Sequence, residues 1–418
     1  MKRSVQPIPK NLTKLEAMAK SIQAANQQPV VDFQNTEIAF AGKSEKELRK
    51  AARLFGVMNN HWLVGVGAKL GITAIKMHLP FVESMVKSTI FEQFCGGTTL
   101  LECQKTVHKL YEQKALTILD YGAEAKESEA DFNHTMNETI RAIEFAAQEE
   151  AIVMLSSKIT GMARFGLLEL ISQGGELTPE LRIEYRNVLK RIDAVCYTAS
   201  QKGMSVSFDA EESWIQNAID HLVNIMMRRY NKDRVVVYNT YQLYRTDRLQ
   251  YIIDSFNQAQ RGEYLLGAKL VRGAYMERER NRAEQMGYPS PIQVNKEATD
   301  DAYNMALRFC IDNYEHISVC NATHNAESSL LMAQLIDQKG IARNHPHLLF
   351  SQLLGMSDNI TFNLSHAGFN AAKYVPYGPV KDVVPYLIRR AEENSSVTGD
   401  MSREYQLVQK EMKRRELA

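Results

Sequence analysis

A (βα)8 barrel behind a helical N-terminal region is the fold class this sequence predicts, and three observations predict it. From residue 115 onward, eight short runs recur that are almost unbroken in aliphatic and β-branched residues, the pattern of parallel strands buried on both faces. Longer stretches with helical periodicity separate them. The whole alternation fits into about 280 residues, a little over the usual size of such a barrel. An open doubly wound sheet would place a glycine-rich phosphate loop after its first strand, and DYGAEAKESE at 120–129 is not one. The expected organisation is residues 1–114 as a helical region, 115–397 as the barrel and 398–418 as a C-terminal helical tail.

The N-terminal MKRSVQPIPKNLTKLEAMAK lacks both a cleavable apolar signal and the arginine and serine richness of a transit peptide, so the expected location is cytoplasmic. WLVGVGAKLGITAIKMHLPFVESMV at 62–86 is broken by Lys69, Lys76, Pro80 and Glu83. It suits a buried helix rather than a span, with an interfacial membrane contact as the alternative. Its Gly65, Gly67 and Gly71 are spaced one residue too far for a dinucleotide fingerprint, and no strand leads into them. The strands are expected in ALTILDY (115–121), AIVMLSSK (151–158), MSVSFDAE (204–211) and VVVYNTY (235–241). LLGAKLVRGAY (265–275), ISVCNAT (317–323), HLLFSQLLG (347–355) and AAKYVPYG (371–378) complete the set.

Among the helices between them, the second unit is split by QGGELTPEL at 173–181, with Thr178 as cap and Pro179 in the first helical position. Ile215, Ile219, Leu222 and Met226 make an apolar stripe. Thr246 caps a helix carrying Leu249, Ile252, Ile253 and Phe256, which Gly262 ends. Leu331, Leu335 and Ile336 make a further stripe, stopped by Gly340.

Composition narrows the function. Of 418 residues, 44% are apolar and 24% charged, enough for a sizeable core, and the net charge is +1 without a basic block. A general nucleic-acid surface is therefore not expected. The five cysteines show no C-x-x-C spacing, which suits buried thiols in a reducing compartment. No zinc spacing and no Ser–His–Asp order is present, so no metal is expected. His345 and His347 stand in a loop, where solvation explains them.

A barrel enzyme works at the C-terminal ends of its strands. Lys158 ends the second strand here, Asp209 the third, and Asn239 follows VVVY in the fourth. Lys269 and Arg272 bracket the fifth, Thr323, His324 and Asn325 follow the sixth, Gln352 is late in the seventh, and Tyr374 lies in the eighth. Singly, each reads as a cap or an ion pair. Seven polar strand ends at one mouth point to a site. The helix after the eighth strand, PYLIRRAEENSS (385–396), puts Val384, Leu387, Ile388 and Ala391 on one face and Tyr386, Arg389, Arg390 and Glu393 on the other. Lys158, Arg389 and Arg390 together call for an anion, which a small carboxylate or a phosphate would satisfy equally.

At these residues the sequence resembles the proline dehydrogenases. FDAEE (208–212), KLVRGAYMERER (269–280), CNATHN (320–325), SQLLGM (351–356), YVPYG (374–378) and YLIRRAEEN (386–394) match that family's motifs in order and spacing, as does the lysine of SSKIT (156–160). The likeness covers about 115–397 closely. It implies a distorted barrel holding FAD, with the last helix over the mouth, and oxidation of L-proline to Δ1-pyrroline-5-carboxylate with electrons passed to a membrane quinone. A peripheral membrane contact and a partner dehydrogenase for pyrroline-5-carboxylate would fit that chemistry. By the resemblance, Lys158, Arg389 and Arg390 bind the substrate carboxylate, Glu393 braces the arginines, and Tyr374 packs on the proline ring. Asp209 stands in the hydrogen-bond network behind them. Asn239, Lys269, Arg272, Gly273, Ala274, Tyr275, Thr323, His324, Asn325 and Gln352 hold the flavin, and Glu124 pairs with Arg389 as a gate. Two departures stand out: Lys269 replaces an arginine common in bacterial members, and Met276 replaces an aromatic. A hydroxyproline enzyme and a non-catalytic flavin-binding relative are the competing readings.

Overall fold

Each apolar run folds as one strand. The computed structural model of the chain describes residues 30–58, 86–122, 126–396 and 400–417. The strands are β1 (Leu116–Tyr121), β2 (Ile152–Ser157), β3 (Val206–Phe208), β4 (Val237–Gln242), β5 (Leu266–Val271), β6 (Ile317–Ala322), β7 (Leu348–Leu353) and β8 (Ala371–Tyr377). They pair in parallel in sequence order, and β8 returns to β1 to close the barrel. Parallel neighbours need a crossover, and helices supply it. The split in the second unit is as expected: helices Phe165–Ser172 and Pro179–Gln201 are separate, and Thr178 Oγ1 accepts from Leu181 N–H at 3.3 Å.

Two other expectations are corrected. The helix Arg248–Arg261 begins after Asp247, and the Thr246 hydroxyl instead faces the carbonyl of Pro291. In the helix Ala326–Gln338 the buried stripe is Met332, Ala333 and Ile336, with Leu331 and Leu335 half-buried beside it. The segment expected as a buried helix at 62–86 lies almost wholly outside the described residues.

Side chains alternate across each strand, and the barrel wall sorts them into two cores. Leu119, Val206, Phe208, Val237, Tyr241, Leu270, Val319 and Phe350 face the helices. Ile118, Met154, Tyr238, Cys320, Ala372 and Tyr374 fill the barrel interior. A third core lies elsewhere. It joins Leu48 and Phe55 of the helix Glu45–Met58, Phe91 and Phe94, Val383 and Leu387 of the helix Val380–Ser396, and Leu407, Val408 and Met412 of the helix Asp400–Arg414. The helix that carries the paired arginines is thus held by chain from both sides of the barrel sequence. Among the described residues no helix is long and apolar enough to cross a membrane. All five cysteines are buried free thiols.

Candidate active site

The parity of the strands decides which polar residues enter the barrel. On β1, Ile118 faces inward, so Asp120 does as well; on β2 and β3 the inward positions are Ser156 and Ser207, and Asp209 follows in the same parity. Lys269 on β5 alternates with the outward Ala268 and Leu270.

These residues meet on Asp209. Its Oδ1 accepts from Ser156 Oγ at 2.9 Å and from Lys269 Nζ at 2.6 Å. Its Oδ2 accepts from Tyr374 OH at 2.9 Å and from Lys158 Nζ at 3.2 Å. Four donors fill the carboxylate's acceptor capacity. Burial works against its charge, but Lys269 and Lys158 outweigh burial and hold the carboxyl well below its ordinary range. The Lys269 ammonium also stands 4.7 Å from the centre of the Tyr374 ring, a favourable cation–π placement.

Asp120 is the counterpart. Burial pushes its carboxyl up to about 7, with the charge of Asp209 adding to burial and those of Lys158 and Lys269 opposing it. Two neighbouring buried carboxyls thus divide into one held ionised and one close to neutrality. Asp120 Oδ1 is buried without a hydrogen-bond partner. The resemblance did not mark this residue. Its signal was present, since a carboxylate two residues beyond Ile118 must share the inner face.

At the fifth and sixth strand ends, Arg272 is fully engaged. It donates to Asp300 Oδ1 (2.6 Å), Thr323 Oγ1 (2.7 Å) and Ser328 Oγ (3.0 Å), and its guanidinium lies 4.4 Å from the Tyr303 ring centre. Gly273 and Ala274 are exposed backbone beyond it. Gly273 has φ 142°, and a Cβ there would come within 2.4 Å of the Tyr244 ring, so only glycine fits. Tyr275 is buried, and the Arg389 guanidinium stands 5.9 Å from its ring centre. That contact brings the arginine helix to the C-terminal end of β5. His324 Nδ1 is 2.9 Å from Ser357 Oγ. Burial, then the charges of Lys373, Arg390, Arg403 and Arg272, keep this imidazole unprotonated. Arg390 is buried as well.

Three expected ligand residues are engaged within the protein itself. Asn239 shares the parity of the outward Val237 and Tyr241, and its Nδ2 donates to Asp220 Oδ1 at 2.9 Å on the helix Ser213–Tyr230. Asp220 is in turn paired with Arg248 at 2.7 Å. The inward residue at the end of β4 is Gln242, whose Nε2 donates to the Glu211 carbonyl while its buried Oε1 has no partner. Gln352 also turns outward, where it accepts from Thr361 Oγ1 and donates to the Thr323 carbonyl. It supports the Thr323 loop from behind. Asn325 caps the helix Ala326–Gln338 by accepting from Ser328 N–H at 2.9 Å. Glu124 and the side chain of Glu393 lie outside the described residues, and with them the expected gate and brace.

The mouth therefore offers inward lysines, arginines on an overlying helix, exposed backbone at Gly273–Ala274 and the unsatisfied acceptor of Gln242. Cations suit the pyrophosphate of FAD, and a buried carbonyl acceptor suits a ring N–H. The residues present fit that cofactor.

A closed parallel barrel with a charged, partly buried network at its strand ends defines a TIM-type barrel enzyme. A family model described as proline dehydrogenase matches residues 103–403. Proline dehydrogenase 2, mitochondrial, of Arabidopsis thaliana is 32% identical over 401 residues, covering 85% of this chain and 83% of that protein. Proline dehydrogenase 1, mitochondrial, of Drosophila melanogaster is 39% identical over 256 residues, 59% of this chain and 37% of that one. Among solved structures, proline utilization A (PutA) of Bdellovibrio bacteriovorus inactivated by N-propargylglycine superposes with a TM-score of 0.67 at 20% identity, over 86% of this chain and 38% of that one. The chain belongs to the proline dehydrogenase family. It spans well under half the length of the Drosophila and PutA proteins.

Proposed function

We propose that the chain oxidises L-proline to Δ1-pyrroline-5-carboxylate with FAD as the electron acceptor and a membrane quinone as the onward one. The observation that carries this reading is the Asp209 network at the barrel mouth, built from the motif residues of the family to which the chain belongs. Lys158, Arg389 and Arg390 hold the substrate carboxylate, and bidentate guanidinium contact fixes its orientation. Tyr374, buried and tied by its hydroxyl to Asp209, forms the wall against the proline ring. Lys269, Arg272, Gly273, Ala274, Tyr275, Thr323, His324 and Gln242 form the cofactor side. Bound FAD supplies the two-electron acceptor for the hydride leaving the carbon beside the ring nitrogen. Delivery of electrons to a quinone requires a peripheral approach to the membrane from the cytoplasmic side.

The test is spectroscopic. Purified protein supplied with FAD should show a flavin absorbance that L-proline bleaches without oxygen, and bleach much more slowly with hydroxyproline, whose hydroxyl Tyr374 would crowd. Faster bleaching by hydroxyproline would transfer the reading to that substrate. A flavin that neither compound reduces would remove it.

A further inference from the structure

At the barrel mouth lies a buried carboxylate that none of the roles above uses. The last backbone rung between the ends of β2 and β3 runs from Asp209 N–H to the Ser157 carbonyl at 2.9 Å. Beyond it the two chains part, and a side chain makes the next rung. Glu211 Oε1 accepts from Thr160 N–H at 3.1 Å, and Oε2 accepts from Thr160 Oγ1 at 2.5 Å. Glu211 is buried, and its backbone is engaged as well. Its N–H donates to Gln216 Oε1 at 2.8 Å, and its carbonyl accepts from Gln242 Nε2 at 3.0 Å.

Lys158 and Asp209 sit between these two rungs. Lys158 has extended backbone and leads into the short turn Ile159–Gly161, where Gly161 N–H donates to the Lys158 carbonyl at 3.2 Å. The first N–H groups of so short a turn find no partner within it. Glu211 supplies one for Thr160, and so fixes the chain two residues beyond Lys158. The contacts continue outward from there. The Thr160 carbonyl accepts from Lys126 N–H at 3.1 Å, and Lys126 Nζ donates to Asp382 Oδ1 at 3.0 Å. Asp382 stands in the first turn of the helix Val380–Ser396, about two turns before Arg389 and Arg390. An unbroken belt of contacts thus runs from the end of β3, past Lys158, to the arginine helix.

We propose that Glu211 is a positioning residue for the substrate carboxylate, anchoring a belt through Thr160, Lys126 and Asp382 that sets the spacing of Lys158 from Arg389 and Arg390. A small carboxylate is gripped by cations from two separate elements only when they stand at the matching distance. Glu211 acts by geometry rather than by charge. A glutamine in its place puts an acceptor before the Thr160 N–H and a donor before its hydroxyl, and so preserves both contacts. The inference rests on the reading of the chain as a proline oxidase whose Lys158, Arg389 and Arg390 take the carboxylate.

The experiment uses the full chain with FAD and combines proline kinetics with calorimetric titration. The titrant is a five-membered cyclic carboxylate with oxygen in place of the ring nitrogen. Glu211→Ala should raise KM for proline and weaken the analogue by about tenfold, the loss of one net hydrogen bond. Its flavin content and its kcat at saturating proline should stay within about twofold of wild type. Glu211→Gln should bring both binding values back to wild type. Lys126→Met breaks the belt at a partly exposed pair that contributes little to stability. It should weaken the analogue about threefold at an unaltered melting temperature, and it serves as the test on its own if Glu211→Ala does not fold. Wild-type affinity for the analogue in either folded variant would overturn the proposal. So would a Glu211→Gln chain as impaired as Glu211→Ala, because charge rather than spacing would then be at work. A Glu211→Ala chain that loses kcat and flavin together with proline binding would make Glu211 a general prop of the fold, and would also overturn it. A wild-type chain that neither binds the analogue nor oxidises proline would overturn the oxidation reading and this one with it. A wild type that does both, beside unimpaired variants, would overturn this one alone.

Discussion

Asp209 is an acceptor with no capacity left, and that makes it the keystone of two buried cations. Removing one partner of a buried charged network leaves the others uncompensated, at a cost of about 3–5 kcal/mol. Asp209→Asn should therefore lower stability by roughly that amount in urea unfolding, because Lys158 and Lys269 lose their common counter-charge. Gln242 and Asn239 make a second case at this scale. They stand on one strand and end on opposite sides of its wall. Gln242→Leu should weaken FAD binding about tenfold and, by stripping the donor from the buried Glu211 carbonyl, also lower stability by about 1–3 kcal/mol. Asn239→Ala should keep the flavin absorbance and lose about 1–3 kcal/mol of stability, since it strips a donor from buried Asp220. The reverse pattern would return Asn239 to the site. The sequence could not decide between them because VVVYNTYQ is buried on both faces, and such a strand carries no polar–apolar alternation to reveal its register. Lys269 and Tyr374 were legible because strand-end position and motif agreed; Gln352 misled for the same reason as Asn239.

On the proposed reading, the element that decides substrate placement is the helix Val380–Ser396. Its arginines are aimed by an apolar face, Val383 and Leu387, that shares a core with the helices Glu45–Met58 and Asp400–Arg414. Leu387→Ala should cost about 2–5 kcal/mol if that core unfolds with the rest of the chain. It should also raise KM for proline more than it lowers kcat, because the cations lose their fixed aim while the inner network is untouched. A KM equal to wild type in a measurably destabilised variant would show that the helix is positioned from elsewhere. The helix could be read from periodicity, and its faces only in part: Leu387 is buried as expected, but Tyr386, expected on the polar face, packs against the same core as Val383. Its partners could not be read. One of them, the helix Glu45–Met58, lies hundreds of residues away in sequence and has no motif to betray it.

For the whole molecule, the barrel was legible because eight apolar runs of similar length admit few other closed arrangements. Its proton balance was not legible, since it depends on burial. Burial pushes Asp120, Glu211 and Glu404 up to about 7. In the unfolded chain each takes its ordinary value of about 4. Between those limits the folded state binds more protons, so these groups' contribution to stability is lost as pH rises from about 4 to about 7 and is constant above. Asp209 and Asp358, held low once the lysines outweigh burial, contribute in the opposite sense, and lose their stabilisation as pH falls below about 4. Asp120→Asn should accordingly gain roughly 1–3 kcal/mol over wild type at pH 8 and nothing at pH 4 in paired denaturant titrations. An equal effect at both values would mean that Asp120 titrates normally.

The central claim is that the mouth of this barrel holds proline by its carboxylate against Tyr374. The most direct measurement is a crystal structure with FAD and a five-membered cyclic carboxylate whose ring nitrogen is replaced by oxygen, so that it binds without being oxidised. The account predicts its carboxylate within hydrogen-bonding reach of Lys158, Arg389 and Arg390, with the ring on Tyr374 and the flavin beside Lys269. A carboxylate bound away from both arginines, or a flavin seated at a different end of the barrel, would contradict it.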